Sequence, residues 1–136
     1  MRKPYLFFTC FLCLPLFAVG CSNHCSLKGK VIFADDQSPV THGTINFVSD
    51  KGIARGAISD DGRYAVGSIK KNDGLPPGTY RVYLTETENL EPRPGGVPRR
   101  IPLLDSKYLQ PDTSELTVEV KSSTVFDVQV DRFLRQ

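Results

Sequence analysis

Between Asp60 and Leu84 the chain opens two strands in the same way, with a glycine turn and then a tyrosine two residues later. Asp61-Gly62 suits a tight type I′ turn, since glycine takes a positive φ at little cost, and Tyr64 then starts an alternating run. Pro76-Pro77-Gly78 fixes φ and then releases it. Tyr80, Val82 and Leu84 follow on one strand face, with Arg81, Tyr83 and Thr85 on the other. A chain that turns, buries one face and wets the other is building a β-sandwich.

The rest of the chain fits that expectation. Ten prolines and eleven glycines among 136 residues, with no sustained helical period, favour short strands joined by turns. Seven strands are expected, at about 27–33, 43–49, 53–59, 63–69, 79–86, 116–120 and 125–130. In the first, Leu27, Gly29, Val31 and Phe33 share a side; in the second, Ile45 and Phe47 point inward and Asn46 outward. Gly56 marks the third strand as a site of bulging or close backbone approach. Residues 87–115 keep neither period. They carry prolines at 92, 94, 98, 102 and 111 with Gly95-Gly96, and read as one long proline- and arginine-rich loop. The domain is expected over 26–131, with 132–136 a polar tail.

The first twenty residues stand apart. Arg2 and Lys3 precede an apolar run from Tyr5 to Val19, the layout of a secretory signal peptide, too short for a membrane span. Ala18-Val19-Gly20-Cys21 resembles the bacterial lipobox. That resemblance implies removal of 1–20, lipidation of Cys21 through a diacylglyceryl thioether, and a short lipidated tether over 21–25. Two or three acyl chains hold a protein on a bilayer far more firmly than one. The expected location is the extracytoplasmic side of the cell membrane or outer membrane, lipid-anchored, with envelope proteins or polysaccharide as partners. Arg2 and Lys3 account for the excess of 17 basic over 15 acidic residues. The remainder is neutral, with no basic surplus for nucleic acid.

Of four cysteines, Cys10 and Cys13 leave with the signal, Cys21 takes lipid and Cys25 is left unpaired. With cleavage elsewhere, Cys21 and Cys25 could instead pair. Cys21, His24 and Cys25 make three metal-ligating residues where zinc needs four ligands at set distances, so no metal is expected.

Several segments together resemble one family. They are Lys28-Gly-Lys-Val-Ile-Phe, Gly43-Thr-Ile-Asn-Phe, Asp60-Asp-Gly-Arg-Tyr64, Gly74-Leu-Pro-Pro-Gly-Thr-Tyr-Arg-Val82, Lys107-Tyr108 and 113–120. The chain over about 26–131 resembles the carboxypeptidase regulatory-like, or transthyretin-like, domain of small bacterial lipoproteins. It departs from that pattern at Glu115 and in the 91–102 segment. The resemblance implies a seven-stranded antiparallel prealbumin-like sandwich of Greek-key type, with no enzymatic activity and no cofactor. Transthyretin-like folds also include hydroxyisourate hydrolases, whose pattern calls for channel histidines, an arginine and a Tyr-Arg-Gly-Ser-type terminus. This chain offers His24 and His42 and ends Phe-Leu-Arg-Gln.

Candidate contact residues are few. Tyr64 and Tyr80 read as corner staples, each ring buried and its hydroxyl tied to backbone. Tyr83 lies on the opposite face and suits ligand contact, as in a carbohydrate-binding sandwich. Arg93, Arg99 and Arg100, with Lys107, form a basic flap suited to an acidic polymer or a partner protein. His42 lacks an evident orienting partner for general-base work. Asp60, Asp61 and Asp73 fit no EF-hand spacing.

Overall fold

The structure, a computed structural model, describes residues 23–134; the signal segment and the predicted acceptor Cys21 lie outside them. Ten strands form in chain order: β1 (Leu27–Phe33), β2 (Thr44–Ser49), β3 (Gly52–Ala57), β4 (Arg63–Ala65), β5 (Gly78–Thr85), β6 (Glu88–Glu91), β7 (Arg99–Pro102), β8 (Thr117–Val120), β9 (Thr124–Val125) and β10 (Val128–Val130). A single 3₁₀ turn, Ser106–Leu109, precedes β8. The described residues are all-β, in two four-stranded sheets and a separate hairpin.

One sheet runs β3-β2-β5-β8 and is antiparallel throughout. In the other, β1 is flanked by antiparallel β4 and, on its far side, by β9 and β10. That last pairing is parallel, where an antiparallel sandwich was expected. Tight turns force antiparallel neighbours, but β1 and β10 open and close the fold with no turn between them, so either direction can pair.

The inward positions of both sheets meet in one core. Leu27, Val31 and Phe33 of β1, Tyr64, Val128 and Val130 face Ile45, Phe47, Tyr80, Val82, Leu84 and Val120. The alternation read along β1 and β5 therefore decides which residues are buried. Loop residues close the ends: Val40, Leu75, Leu104 and Tyr108 are buried in the same core.

Within the strands, Gly29 and Gly56 work by closeness. A Cβ at Gly29 would stand 2.0 Å from the Phe126 carbonyl oxygen. The space it vacates lets the Tyr64 ring cross the strand, so that its hydroxyl donates to that carbonyl. The Lys30 amide turns instead to the Asp127 carboxylate at 2.9 Å, and the ladder lapses between β9 and β10. At Gly56 a Cβ would meet the Ala65 carbonyl oxygen at 2.8 Å. The expected irregularity in the third strand is thus a close approach between the edges of the two sheets.

Five further expectations change. The turn before Tyr64 is not type I′, because only Gly62 has positive φ. Its amide donates to the Ser59 carbonyl at 2.8 Å, and the Ser59 amide to the Arg63 carbonyl at 2.9 Å. That is a three-residue connection with glycine in the left-handed position. In the second turn the left-handed glycine is Gly74, φ 81°, rather than Gly78, which already belongs to β5.

The fourth strand stops at Ala65 rather than near 69. The Asp73 carboxylate accepts from the amides of Ser68, Ile69 and Lys70 at 2.7, 3.2 and 2.9 Å. A side chain that supplies three acceptor contacts competes with a sheet ladder and wins here.

The 87–115 connection is not one loop. Glu88–Glu91 pairs with Arg99–Pro102, and Leu104, Tyr108 and Ser114 pack inward. The hairpin's strands are exposed over most of both faces, so no alternation marked them, and three of the prolines sit in its tip.

The polar tail begins as a clasp. Arg132 pairs with Asp35 and Asp36, each at 2.8 Å, donates to Ser38 Oγ at 2.6 Å and lies 3.7 Å from the Phe33 ring centre. The Ser38 hydroxyl and amide, then Arg132, hold the Asp36 carboxyl well below the usual carboxylate range.

Candidate functional site

The edges of the two sheets meet along β3 and β4. Alternation turns Arg63 and Ala65 outward from β4, Lys28 outward from β1 and Arg55 outward from β3, while Tyr64 and Ala54 point to the core. Past β4 the chain bridges to the β3 edge. The Arg55 amide donates to the Gly67 carbonyl at 3.0 Å, and the Gly67 amide returns to the Arg55 carbonyl at 2.9 Å. Gly67 then starts a tight bend in which a Cβ would lie 2.1 Å from the Lys70 carbonyl oxygen. Asn72 completes the bend with φ 62°, and Asp73 ties it from within.

The result is a groove of about 640 Å³. Lys28, Arg55, Arg63, Lys70 and Lys71 line it, with Ser59 and Asn72 as neutral hydrogen-bonding groups and no carboxylate in its wall. Among these cations only Arg63 has an acidic partner within the described residues, Asp61 at 3.4 Å, and both are well exposed. The Asp73 carboxyl faces the bend's own backbone. Its pKa is lowered chiefly by the Lys70 amide, then by those of Ser68 and Ile69 and by the His24 charge.

The chain enters the fold beside this groove. The Cys25 amide donates to the Leu75 carbonyl at 2.8 Å, and the Leu75 amide to the Cys25 carbonyl at 3.1 Å. His24 Nδ1 lies 3.8 Å from Asp73. Gly74 has no room for a side chain, because a Cβ would stand 2.2 Å from the Cys25 carbonyl oxygen. Cys25 is half-buried and has no disulfide partner among the described residues.

The residues singled out from sequence lie elsewhere. Tyr64 and Tyr80 are buried staples; Tyr80 donates to the Pro76 carbonyl at 2.6 Å. Burial raises the pKa of both phenols. Tyr83 is half-buried on the outer face of its sheet, in a row with Asn46 and Arg55 across three strands. Asn46 points outward as expected yet is only 3% exposed, and its amide reaches Thr85 Oγ1 at 3.1 Å. His42 meets neutral partners on both nitrogens, Thr41 Oγ1 at 3.3 Å and the Glu88 carbonyl at 3.2 Å.

Arg93, Arg99 and Arg100 fall on the hairpin, not in the groove. Arg100 pairs with Glu88 at 3.2 Å, and Arg99 stands opposite Glu91. Lys107 is drawn away to Asp131 at 2.6 Å, an interaction that raises its pKa and lowers that of Asp131. No group of three or more His, Cys, Asp or Glu positioned for a metal occurs among the described residues.

Sequence reasoning missed the groove because its cations come from four separated segments, and only Lys70-Lys71 is contiguous. The signal was present in the strand pattern. Lys28, Arg55 and Arg63 each occupy an outward position of an expected strand.

The chain matches no family model and no curated protein. Among solved structures it is similar to a DUF3823 family protein from Bacteroides ovatus, with 19% identity and a TM-score of 0.47. The match covers 80% of this chain and 45% of that one.

Proposed function

We propose that the protein is a non-enzymatic, lipid-anchored module of the bacterial cell envelope, held by an acylated Cys21 and carrying a transthyretin-like, Greek-key sandwich that binds or organises a partner. The observation that carries this reading is the start of the fold. Paired backbone hydrogen bonds stitch Cys25 to Leu75, four residues after the expected acceptor. Four residues span at most about 14 Å when extended, so a chain acylated at Cys21 holds the domain against the bilayer surface.

The transthyretin-like hydrolase alternative rests on His42 with arginines of the 87–115 segment. A general base needs a group that orients it and stabilises its charge, and a threonine hydroxyl with a backbone carbonyl is a weak substitute for a carboxylate. Carbohydrate binding would draw on the outward row Arg55-Asn46-Tyr83, in which Arg55 is exposed, Tyr83 half-buried and Asn46 3% exposed.

Intact mass of the membrane fraction, from cells expressing the full chain or Cys21→Ala, tests the anchor. A form beginning at Cys21 with added acyl mass, absent in the variant, is expected. A soluble product without acyl mass would remove the anchor and return Cys21 and Cys25 as candidates for a disulfide or metal pair. Turnover of small substrates abolished by His42→Ala would overturn the non-enzymatic part. Glycan binding lost in Tyr83→Ala would move the partner site to the open face.

A further inference from the structure

Three features meet at the end of the sandwich where the chain enters, and packing explains none of them. The groove gathers Lys28, Arg55, Arg63, Lys70 and Lys71 without a carboxylate in its wall. Beside it Ile69 is 80% exposed at the crown of the bend, next to Lys70-Lys71, and Ile53 on the β3 edge is 47% exposed. Both isoleucines line a crevice of about 210 Å³ that they share with His24, the second described residue of the chain.

We propose that this end of the domain docks on the anionic headgroups of a phospholipid bilayer, with the groove cations meeting lipid phosphates and Ile69 entering the interface. The proposal rests on the lipid-anchor reading and goes beyond it. Acyl chains at Cys21 hold the protein on a membrane without choosing which face of the domain lies down. A basic surface with an exposed apolar tip makes that choice, because anionic lipids attract lysine and arginine near the surface. The apolar side chain adds area that leaves water.

The nearby acids reduce the attraction, but none of them lines the groove. Asp73 keeps its charge and turns it toward three backbone amides of the bend. Asp61 pairs with Arg63, and Asp60 precedes it in the turn. Asp127 accepts the Lys30 amide in a neighbouring hollow that also takes in Lys28 and Arg63. Lys28, Arg55, Lys70 and Lys71 have no ion pair among the described residues.

The chain contains no tryptophan, so Ile69→Trp reports on this surface alone. Full-length protein carrying that change is purified from membranes and placed in vesicles of phosphatidylcholine, alone or mixed with phosphatidylglycerol. In the anionic vesicles the emission shifts to the blue and is quenched by brominated acyl chains. The shift is lost with Lys70→Glu/Lys71→Glu, reduced with Arg55→Glu and weakened by salt, which screens exposed charge within about 10 Å at 0.1 M. Arg100→Glu, on the hairpin, leaves it unchanged. Equal emission in neutral and anionic vesicles, with the protein still vesicle-bound, overturns the docking face and leaves the anchor standing.

Should intact mass show no acyl group, sedimentation of the unacylated full chain with anionic vesicles decides the docking face by itself. Binding reversed by the lysine substitutions upholds it, and no binding overturns it. A response to soluble polyphosphate but to no vesicle assigns the groove to a free polyanion and also overturns it.

Discussion

The groove between β3 and β4 and the hairpin β6–β7 both present exposed cations, but they hold them in different ways. The hairpin's arginines lie within eight residues of one another, on a two-stranded ladder that also offers Glu88 and Glu91 across from them. The groove's five cations span residues 28 to 71; Lys28, Arg55 and Arg63 sit on strands whose inner faces form the core, and Lys70 and Lys71 on the bend after β4. A two-stranded hairpin exposed on most of both faces has little apolar burial to fix its geometry. The groove's geometry is set by Gly29, Gly56 and Tyr64 beneath it. The cluster evident in sequence thus faces acids on its own ladder, while in the one assembled by sheet pairing only Arg63 has an acidic partner among the described residues.

The sharpest way to break this contrast is to attack the groove's foundation. Gly29→Val places side-chain atoms on the Phe126 carbonyl and in the path of the Tyr64 ring. Overpacking of this kind should cost on the order of 3 kcal/mol, seen as a lower urea midpoint, with loss of Tyr64 burial. A near-neutral result would mean that β9 and β10 can shift away from β1 freely.

Tyr64→Phe keeps the ring and removes one donor, leaving the Phe126 carbonyl without it. A loss of about 1–2 kcal/mol is expected, again by urea unfolding, with the same dependence on denaturant. On the hairpin, Gly95→Ala introduces a side chain where φ is 72° but space is open. The expected cost is about 1 kcal/mol, from backbone conformation alone. Arg100→Ala removes an ion pair in which the arginine is largely exposed, and its effect should stay within about 0.5 kcal/mol.

Acid sharpens the comparison through Asp73. Its folded pKa lies below the ordinary 3.8, so the unfolded chain takes up the proton first as pH falls. The stabilisation is therefore complete above that ordinary value and is lost as pH drops through the folded one. Asp73→Asn should flatten the low-pH limb of the stability curve, and wild type at low pH should lose amide protection at Ser68, Ile69 and Lys70. Protection that persists unchanged at low pH would mean the bend is held by something other than the carboxylate.

The strands with one wet face are legible in the amino-acid sequence. Along Leu27–Phe33 and Gly78–Thr85 the side-chain period of two is written in residue types, because each strand must bury one face. The tyrosine staples were legible for the same reason, since a buried phenol needs a partner for its hydroxyl. The hairpin was not legible, because strands wet on both sides carry no alternation. Nor was the end of β4 at Ala65, where one aspartate outbids a ladder eight residues away.

By itself the amino-acid sequence determined the all-β class, most strand positions and the inward residues, all of which follow from local periodicity and turn chemistry. Only the tertiary structure decided that β1 and β10 run parallel, that Arg132 closes the chain over Asp35 and Asp36, and that Lys28, Arg55 and Lys70 share one groove. Those outcomes depend on which edges meet. Edge pairing is a contest among backbone hydrogen bonds that every strand offers alike, so residue identity settles it only through the core that the whole chain builds together.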